Sequence, residues 1–280
     1  MILLDGKALA AKVLDGVRTR IDERIAAGKS RPRLATVLVG EDPASVVYVR
    51  SKHRDGEKVG LASSDHRLPE TATTEEVLAL VEELNGDPEV SGILVQQPFP
   101  PPLAVRPIVE AVAPVKDVDG LHPFSAGRLL AGAPGHVPCT PAGIVRFLDE
   151  WQIPIDGKRA VVLGRSLLVG KPVSLLLLNR HATVTICHSH TQDLAEVCRE
   201  ADILVVAIGR AHLVKPDWVK EGAAVIDVGM NRLDGKLTGD VDPAAAERAG
   251  WLTPVPGGVG PMTRALLMEN TLRAAELQES

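Results

Sequence analysis

Ala160-Val-Val-Leu-Gly-Arg-Ser-Leu-Leu-Val-Gly-Lys-Pro172 has the residue types of an anion site. It reads as a buried strand, a tight turn through Gly164, Arg165 and Ser166, and a helix opening near Gly170. Free backbone N–H groups and the positive helix end converge at such a turn, so a pyrophosphate is its natural guest. The spacing is Gly-x-Ser-x-x-x-Gly rather than the usual dinucleotide fingerprint, and a purely structural turn fits it as well. Tyr48 and Lys52 form a second candidate. They stand four positions apart, which stacks a phenol and an amine on one helix face, and Tyr48 is the chain's single tyrosine. An arbitrary pair of this kind only packs a solvated lysine against a tyrosine stem.

Two further stretches put polar groups where ligands bind. Gly92-Ile-Leu-Val-Gln-Gln-Pro98 reads as a buried strand ending in two glutamines. Side chains at the carboxyl end of such a strand face the crevice of an α/β sheet, which makes Gln96 a candidate, while Gln97 should face the other way. Either glutamine can also simply close the strand end. Lys116-Asp-Val-Asp-Gly120 is a turn-rich loop with two carboxylates. No further acidic or histidine cluster completes a cation shell at a readable spacing. A carboxylate accepting paired N–H donors from a planar heterocycle fits at least as well, and solvation or a turn hydrogen bond is the ordinary fate.

A nucleotide ribose with a free 2′-hydroxyl usually meets an acid about 20 residues past the glycine turn. Here the chain offers Cys187-His-Ser-His-Thr191. Ser189, the flanking histidines and Arg165 suit a 2′-phosphate instead, which favours NADP over NAD. Zinc at Cys187, His188 and His190 would need further ligands, and none stands at a fitting spacing, so no metal is expected. Cys139 and Cys198 read as small buried apolar residues.

These groups need elements to hold them. Residues 7–28 read as a surface helix and 34–39 as a buried strand; Asp42 caps, and Pro43 opens, the helix of Tyr48 and Lys52. Thr74–Leu84 is a further helix. Thr140 is read as capping, and Pro141 as opening, a helix running to about Trp151, and the change of domain falls at this helix, which links the halves. Strands follow at Ala160–Leu163, Thr183–Cys187, Ile203–Ile208 and Ala224–Val228, with helices between, a rhythm that calls for a parallel sheet covered on both faces. Leu233–Leu237 reads as a hairpin with an Asp-Gly turn. Thr253–Thr263 reads as a long, stiff Pro/Gly loop whose glycines let backbone approach a ligand.

The chain has 280 residues, 45% hydrophobic, with a net charge of −5 and interspersed signs, enough for one large or two ordinary domains. No basic face exists for a nucleic acid, and no apolar run reaches membrane-spanning length. Met1–Asp5 is too short for a secretion signal, and three cysteines without a pairing pattern fit a reduced, cytoplasmic setting.

Tyr48-Val-Arg-Ser-Lys52, Gly92–Pro98, Lys116–Gly120, Pro138-Cys-Thr-Pro141, Gly164–Gly170, Asp227-Val-Gly-Met-Asn-Arg232 and Thr253–Thr263 together resemble the bifunctional methylenetetrahydrofolate dehydrogenase/methenyltetrahydrofolate cyclohydrolase family. The matches run from end to end in family order. Gln97 and Met230 depart from the residues common there, and neither departure removes a catalytic group. The resemblance implies an α/β fold of two domains: an N-terminal folate-binding catalytic domain of residues 1–139 plus 265–280, and a C-terminal Rossmann-like NADP-binding sheet of residues 140–264, with a cleft between them. It implies oxidation of 5,10-methylenetetrahydrofolate with NADP, then hydrolysis to 10-formyltetrahydrofolate. It makes Lys52 the central catalytic group, with Tyr48 on the folate, Gln96 positioning Lys52, and Asp119 holding the pterin. It assigns Pro256, Gly257 and Gly258 to the substrate, and Gly164, Arg165, Ser166, Ser189 and Met230 to the cofactor. A homodimer is implied too. The physics agrees: the hydride step needs orientation, and a partly desolvated lysine with lowered proton affinity suits the proton transfers of hydrolysis.

Rival readings are a different two-domain NADP dehydrogenase of a small acid, which would want a cleft arginine, and a nucleotide-binding module without turnover.

Overall fold

Apolar β-branched runs alternating with capped helices build two α/β units, seen in a computed structural model that describes residues 1–279. The chain runs β1 (Ile2–Leu3), α1 (Gly6–Ala26), β2 (Arg33–Val39), α2 (Pro43–Val59), β3 (Ala62–Leu68), α3 (Thr74–Gly86), β4 (Gly92–Val95), α4 (Val105–Ala111) and α5 (Pro123–Leu130). One unit comprises Ala11–Val137 with the residues from Arg264 onward; the other comprises Met1–Ala10 with Pro138–Thr263.

In the first unit the sheet order is β3-β2-β4, all parallel. The chain leaves β2 for β3 on one side and later returns to pair β4 on the other, so β2 and β4 flank a switch point, the place where open α/β sheets bind ligands. Ala35, Val37, Val39, Ile93 and Val95 pack there against Val77, Val81 and Leu84 of α3. Thr73 and Glu76 close a reciprocal cap at the start of α3. β3 carries Ser-Ser-Asp-His-Arg and alternates in exposure, as suits an edge strand that must not pair with another chain.

The other unit continues with α6 (Cys139–Glu150), β5 (Arg159–Leu163), α7 (Gly170–Leu178), β6 (Thr183–Cys187), α8 (Leu194–Arg199), β7 (Ile203–Val206), β8 (Ala224–Asp227), β9 (Asn231–Leu233), β10 (Lys236–Thr238), β11 (Trp251–Leu252) and α9 (Val259–Leu277), which runs on into the first unit. Its six-stranded sheet has the order β1-β11-β8-β7-β5-β6, parallel throughout. β1 belongs to this sheet through its pairing with β11. β9 and β10 form the expected hairpin, with Asp234 and Gly235 both at positive φ. Among the described residues no helix is long and apolar enough to cross a membrane.

Two expectations need correction. Thr140 does not cap α6: the helix starts at Cys139, and the Thr140 hydroxyl lies 2.8 Å from that of Thr263. The Pro/Gly loop is shorter than its composition implies, because α9 begins at Val259. Pro261 then falls in the first helical turn, where a missing N–H costs nothing.

Two buried acids fasten the loops at the carboxyl edge of this sheet. Asp240 accepts from the backbone N–H groups of Ile208, Gly209 and Arg210 and from Asn231 Nδ2. Asp227 accepts from Gly229, Asp240 and Val241. Burial pushes the Asp227 carboxyl up to about 6, against the pull of those donors. The folded chain therefore binds an extra proton between the ordinary value of 3.8 and about 6, so this group's contribution to stability grows as pH falls through that window and is lost as pH rises. Urea titrations of the wild type and Asp227→Asn should show the wild type's advantage widening from pH 7 to pH 4 (roughly the span of that titration). A constant difference would remove Asp227 from the pH dependence.

Candidate active site

Asp42 accepts the Ser45 N–H at 2.8 Å and caps α2, with Pro43 in the first turn. Starting there, α2 presents Tyr48, Lys52 and Asp55 toward the interior, and Lys52 is only 5% exposed. A buried amine needs an acceptor. Lys52 Nζ donates to Gln96 Oε1 at 2.9 Å and lies 4.7 Å from the centroid of the Tyr48 ring. Gln96 sits just past β4, its own N–H bonded to Val37 O, and its Nε2 donates to Gln97 O. That second bond fixes which end of the amide faces the lysine. Tyr48, Lys52 and Gln96 thus meet at the switch point of the three-stranded sheet.

The two acids after Lys116 have separate fates. Asp117 accepts from Leu121 N, His122 N and Ser125 Oγ, which closes the loop on itself. Lys116 plugs the end of α3 by donating to Leu84 O, Asn85 O and Asp87 O, and burial lowers its pKa. Asp117 also bridges Ile93 in parallel. Asp119 is half-buried in the turn that follows this bridge. Asn270 of α9 anchors the same loop by donating to Val118 O.

In the other unit the glycine turn lies where β5 and β7 part. Gly164 has φ +117°, and a Cβ there would come within 2.2 Å of Ala207 O. A Cβ on Gly170 would sit 2.0 Å from Gly164 O. The two glycines keep open the cradle that a pyrophosphate needs at a helix start. Ser166 Oγ accepts from Val169 N at 3.1 Å and Gly170 N at 3.4 Å, so this hydroxyl holds the turn together. Leu163 pairs with Cys187 across β5 and β6. Arg165 and Ser189, each two residues past that pair, are both exposed.

His188 Nδ1 accepts His190 N, and the His188 N–H donates to Thr191 Oγ1, so the loop is internally bonded. Cys187 is fully buried and its thiol is pushed up by burial; Cys198 is pushed up to about 12 by the same cause. The described residues contain no group of three His, Cys, Asp or Glu that could hold a metal ion. Met230 is 64% exposed beyond β8. Pro256 is exposed in the segment joining β11 to α9, while Gly257 is half-buried and Gly258 buried. Sequence reasoning missed Asp227, Asp240 and Asp55. An acid closing an apolar strand, as in Ala-Val-Ile-Asp227, was the available signal for the first.

A doubly wound parallel sheet with a glycine turn at its switch point is the architecture of a dinucleotide-dependent enzyme. Two family models match the chain: tetrahydrofolate dehydrogenase/cyclohydrolase, catalytic domain, over residues 4–119, and tetrahydrofolate dehydrogenase/cyclohydrolase, NAD(P)-binding domain, over residues 138–279. The bifunctional protein FolD of Methanoculleus marisnigri is 58% identical over 279 residues, covering 99% of this chain and 97% of that one. The crystal structure of the Campylobacter jejuni bifunctional enzyme FolD aligns with a TM-score of 0.97 at 45% identity, covering 99% of both chains. The Trypanosoma brucei dehydrogenase-cyclohydrolase, solved with NADP cofactor and an inhibitor, aligns at 0.94 with 36% identity, covering 99% of this chain and 98% of that one. The chain belongs to the tetrahydrofolate dehydrogenase/cyclohydrolase family and is a bifunctional enzyme of one-carbon folate metabolism.

Gly164→Ala tests the cradle. Forcing a side chain into that space and backbone region should lower the unfolding free energy by about 2 kcal/mol or more, read by urea denaturation. An unchanged midpoint would contradict the close approach to Ala207.

Proposed function

We propose that Lys52 is the proton-transfer group of an enzyme that oxidises 5,10-methylenetetrahydrofolate with NADP and then hydrolyses the methenyl product to 10-formyltetrahydrofolate. One observation carries this reading: a buried lysine whose amine rests on the neutral Gln96 oxygen and over the Tyr48 ring, at the switch point of its sheet. NADP, when bound, accepts the hydride from the one-carbon bridge. The oxidation asks of the chain only that the reacting carbon be held, and orientation supplies much of the rate.

The hydrolysis asks for more. Water must lose a proton as it adds to the methenyl carbon, and the ring nitrogen must gain one as the ring opens. A lysine whose amine rests on an amide oxygen can serve both events, giving up a proton at Nζ and regaining it. Tyr48 stacks on or orients the folate, and Gln96 keeps the amine aimed. Asp119 accepts two N–H bonds from the amino-pyrimidine edge of the pterin, a geometry that an amide half satisfies. Pro256, Gly257 and Gly258 contact the substrate.

The residues of the glycine turn fit the nucleotide, since Gly164 and Gly170 leave room that any side chain would fill. Gly164 and Ser166 shape that turn, Arg165 and Ser189 hold the 2′-phosphate, and Met230 borders the cofactor. The folate side is the domain of residues 1–139 and 265–280, whose strand β1 is lent to the other sheet, and the NADP side is residues 140–264. Dimerisation and a cytoplasmic setting complete the reading, which excludes nucleic-acid and membrane partners.

Lys52→Met keeps the length of the side chain and removes the amine. It should cut methenyl hydrolysis by about 100-fold or more at an unchanged circular-dichroism spectrum, and retained hydrolysis would take Lys52 out of the mechanism. Asp119→Ala should weaken folate binding by about tenfold or more while NADP binding, followed by fluorescence titration, stays near wild type. Equal losses for both ligands would refute the pterin contact.

A further inference from the structure

Helix α2 carries two opposite charges within one turn, Lys52 at 5% and Asp55 at 4% exposure. Three positions apart on a helix, a lysine and an aspartate are surface neighbours that attract each other. Here the Asp55 oxygens are engaged from elsewhere. Oδ2 accepts from Arg264 Nε at 2.7 Å, and Oδ1 lies 3.4 Å from Lys58 Nζ. The Lys58 side chain is 61% exposed and the Arg264 side chain 25%, so water screens the lysine and Arg264 is the stronger partner. One turn further along α9, Met268 Sδ lies 3.5 Å from the Cβ position that Gly56 leaves empty. The two helices thus run close together just beyond Asp55, and Arg264 is held within reach. In the same turn of α2, the Lys52 amine rests on Gln96 and Tyr48.

We propose that Arg264 is a positioning residue for the lysine chemistry: by holding the Asp55 carboxylate against α9, it keeps the nearest anion on α2 from drawing the Lys52 amine away from Gln96. A lysine paired with a carboxylate is misplaced for substrate and retains its proton too firmly to pass it on. Arg264 touches no reacting atom. It acts through Asp55, a pairing that spans 209 positions in sequence. This inference rests on the reading of Lys52 as the proton-transfer group.

The test compares steady-state cyclohydrolase and dehydrogenase kinetics of the full chain carrying Arg264→Met, Arg264→Gln, Asp55→Asn, the double change Asp55→Asn/Arg264→Met, and Lys52→Met. The expected pattern is selective. Freeing the carboxylate in Arg264→Met or Arg264→Gln lowers cyclohydrolase kcat by about tenfold or more, with KM and dehydrogenase kcat within about twofold of wild type. Asp55→Asn and the double variant, which have no carboxylate to release, stay within about twofold in both activities. If the pair is only a brace between helices, Asp55→Asn and Arg264→Met lose both activities in parallel, and the proposal is overturned. Should Arg264→Met fail to fold, Arg264→Gln and the double variant still give the comparison. Hydrolysis retained by Lys52→Met would overturn the reading of Lys52, whereas hydrolysis lost there but untouched in both Arg264 variants would overturn only the role of Arg264.

Discussion

A buried amine bonded to a neutral oxygen is the interaction on which the proposed lysine chemistry depends. Taking an amine out of water is costly unless an acceptor replaces the lost hydration. Gln96 supplies that acceptor at 2.9 Å. Each supporting element keeps this contact in place. Asp42 and Pro43 set where α2 starts and therefore which face carries Lys52. The pairing of β2 with β4 brings the end of β4, and Gln96 with it, next to the strand that leads into α2. The bond from Gln96 to its neighbour's carbonyl prevents the amide from turning its nitrogen toward the lysine.

The nucleotide-binding unit solves a different problem, that of holding several loops at one sheet edge without filling the space between them. Buried carboxylates do this by accepting runs of backbone N–H groups. Asp240 collects three consecutive donors after β7, and Asp227 ties the segments after β8 and β10. Glycines at 164 and 170 then leave the cradle open. Two buried carboxylates are tolerated at this edge because they accept backbone donors.

Much of this was legible in the sequence where the governing signal is local. The Val-Val-Leu-Gly turn, the capped start of α2, the Asp-Gly hairpin and the parallel strands of the second half all announce themselves within ten or so residues. Local signals also misled. Thr140 has the chemistry of a cap, yet its hydroxyl is engaged by Thr263, 123 positions away. Thr253–Thr263 has a loop's composition, yet Pro261 is compatible with the first turn of α9. β3 was not legible as a strand because its polar residues reflect an edge rather than a core. The candidate site divides the same way. Tyr48 and Lys52 share a helix face by spacing alone, but the meeting of Lys52 with Gln96 spans 44 positions and came only from resemblance to a family. Asp55 with Arg264 and Asp227 with the loop of Asp240 are products of the tertiary fold and leave no mark on neighbouring residues.

The most direct test of the lysine's role is a crystal structure of the protein with a bound folate analogue. The Lys52 amine should stand within hydrogen-bonding distance, about 3 Å, of the N5–N10 one-carbon bridge or of the water beside it, with Gln96 still accepting from it. An amine turned out to solvent, or drawn onto Asp55 with the folate bound elsewhere, would contradict that role.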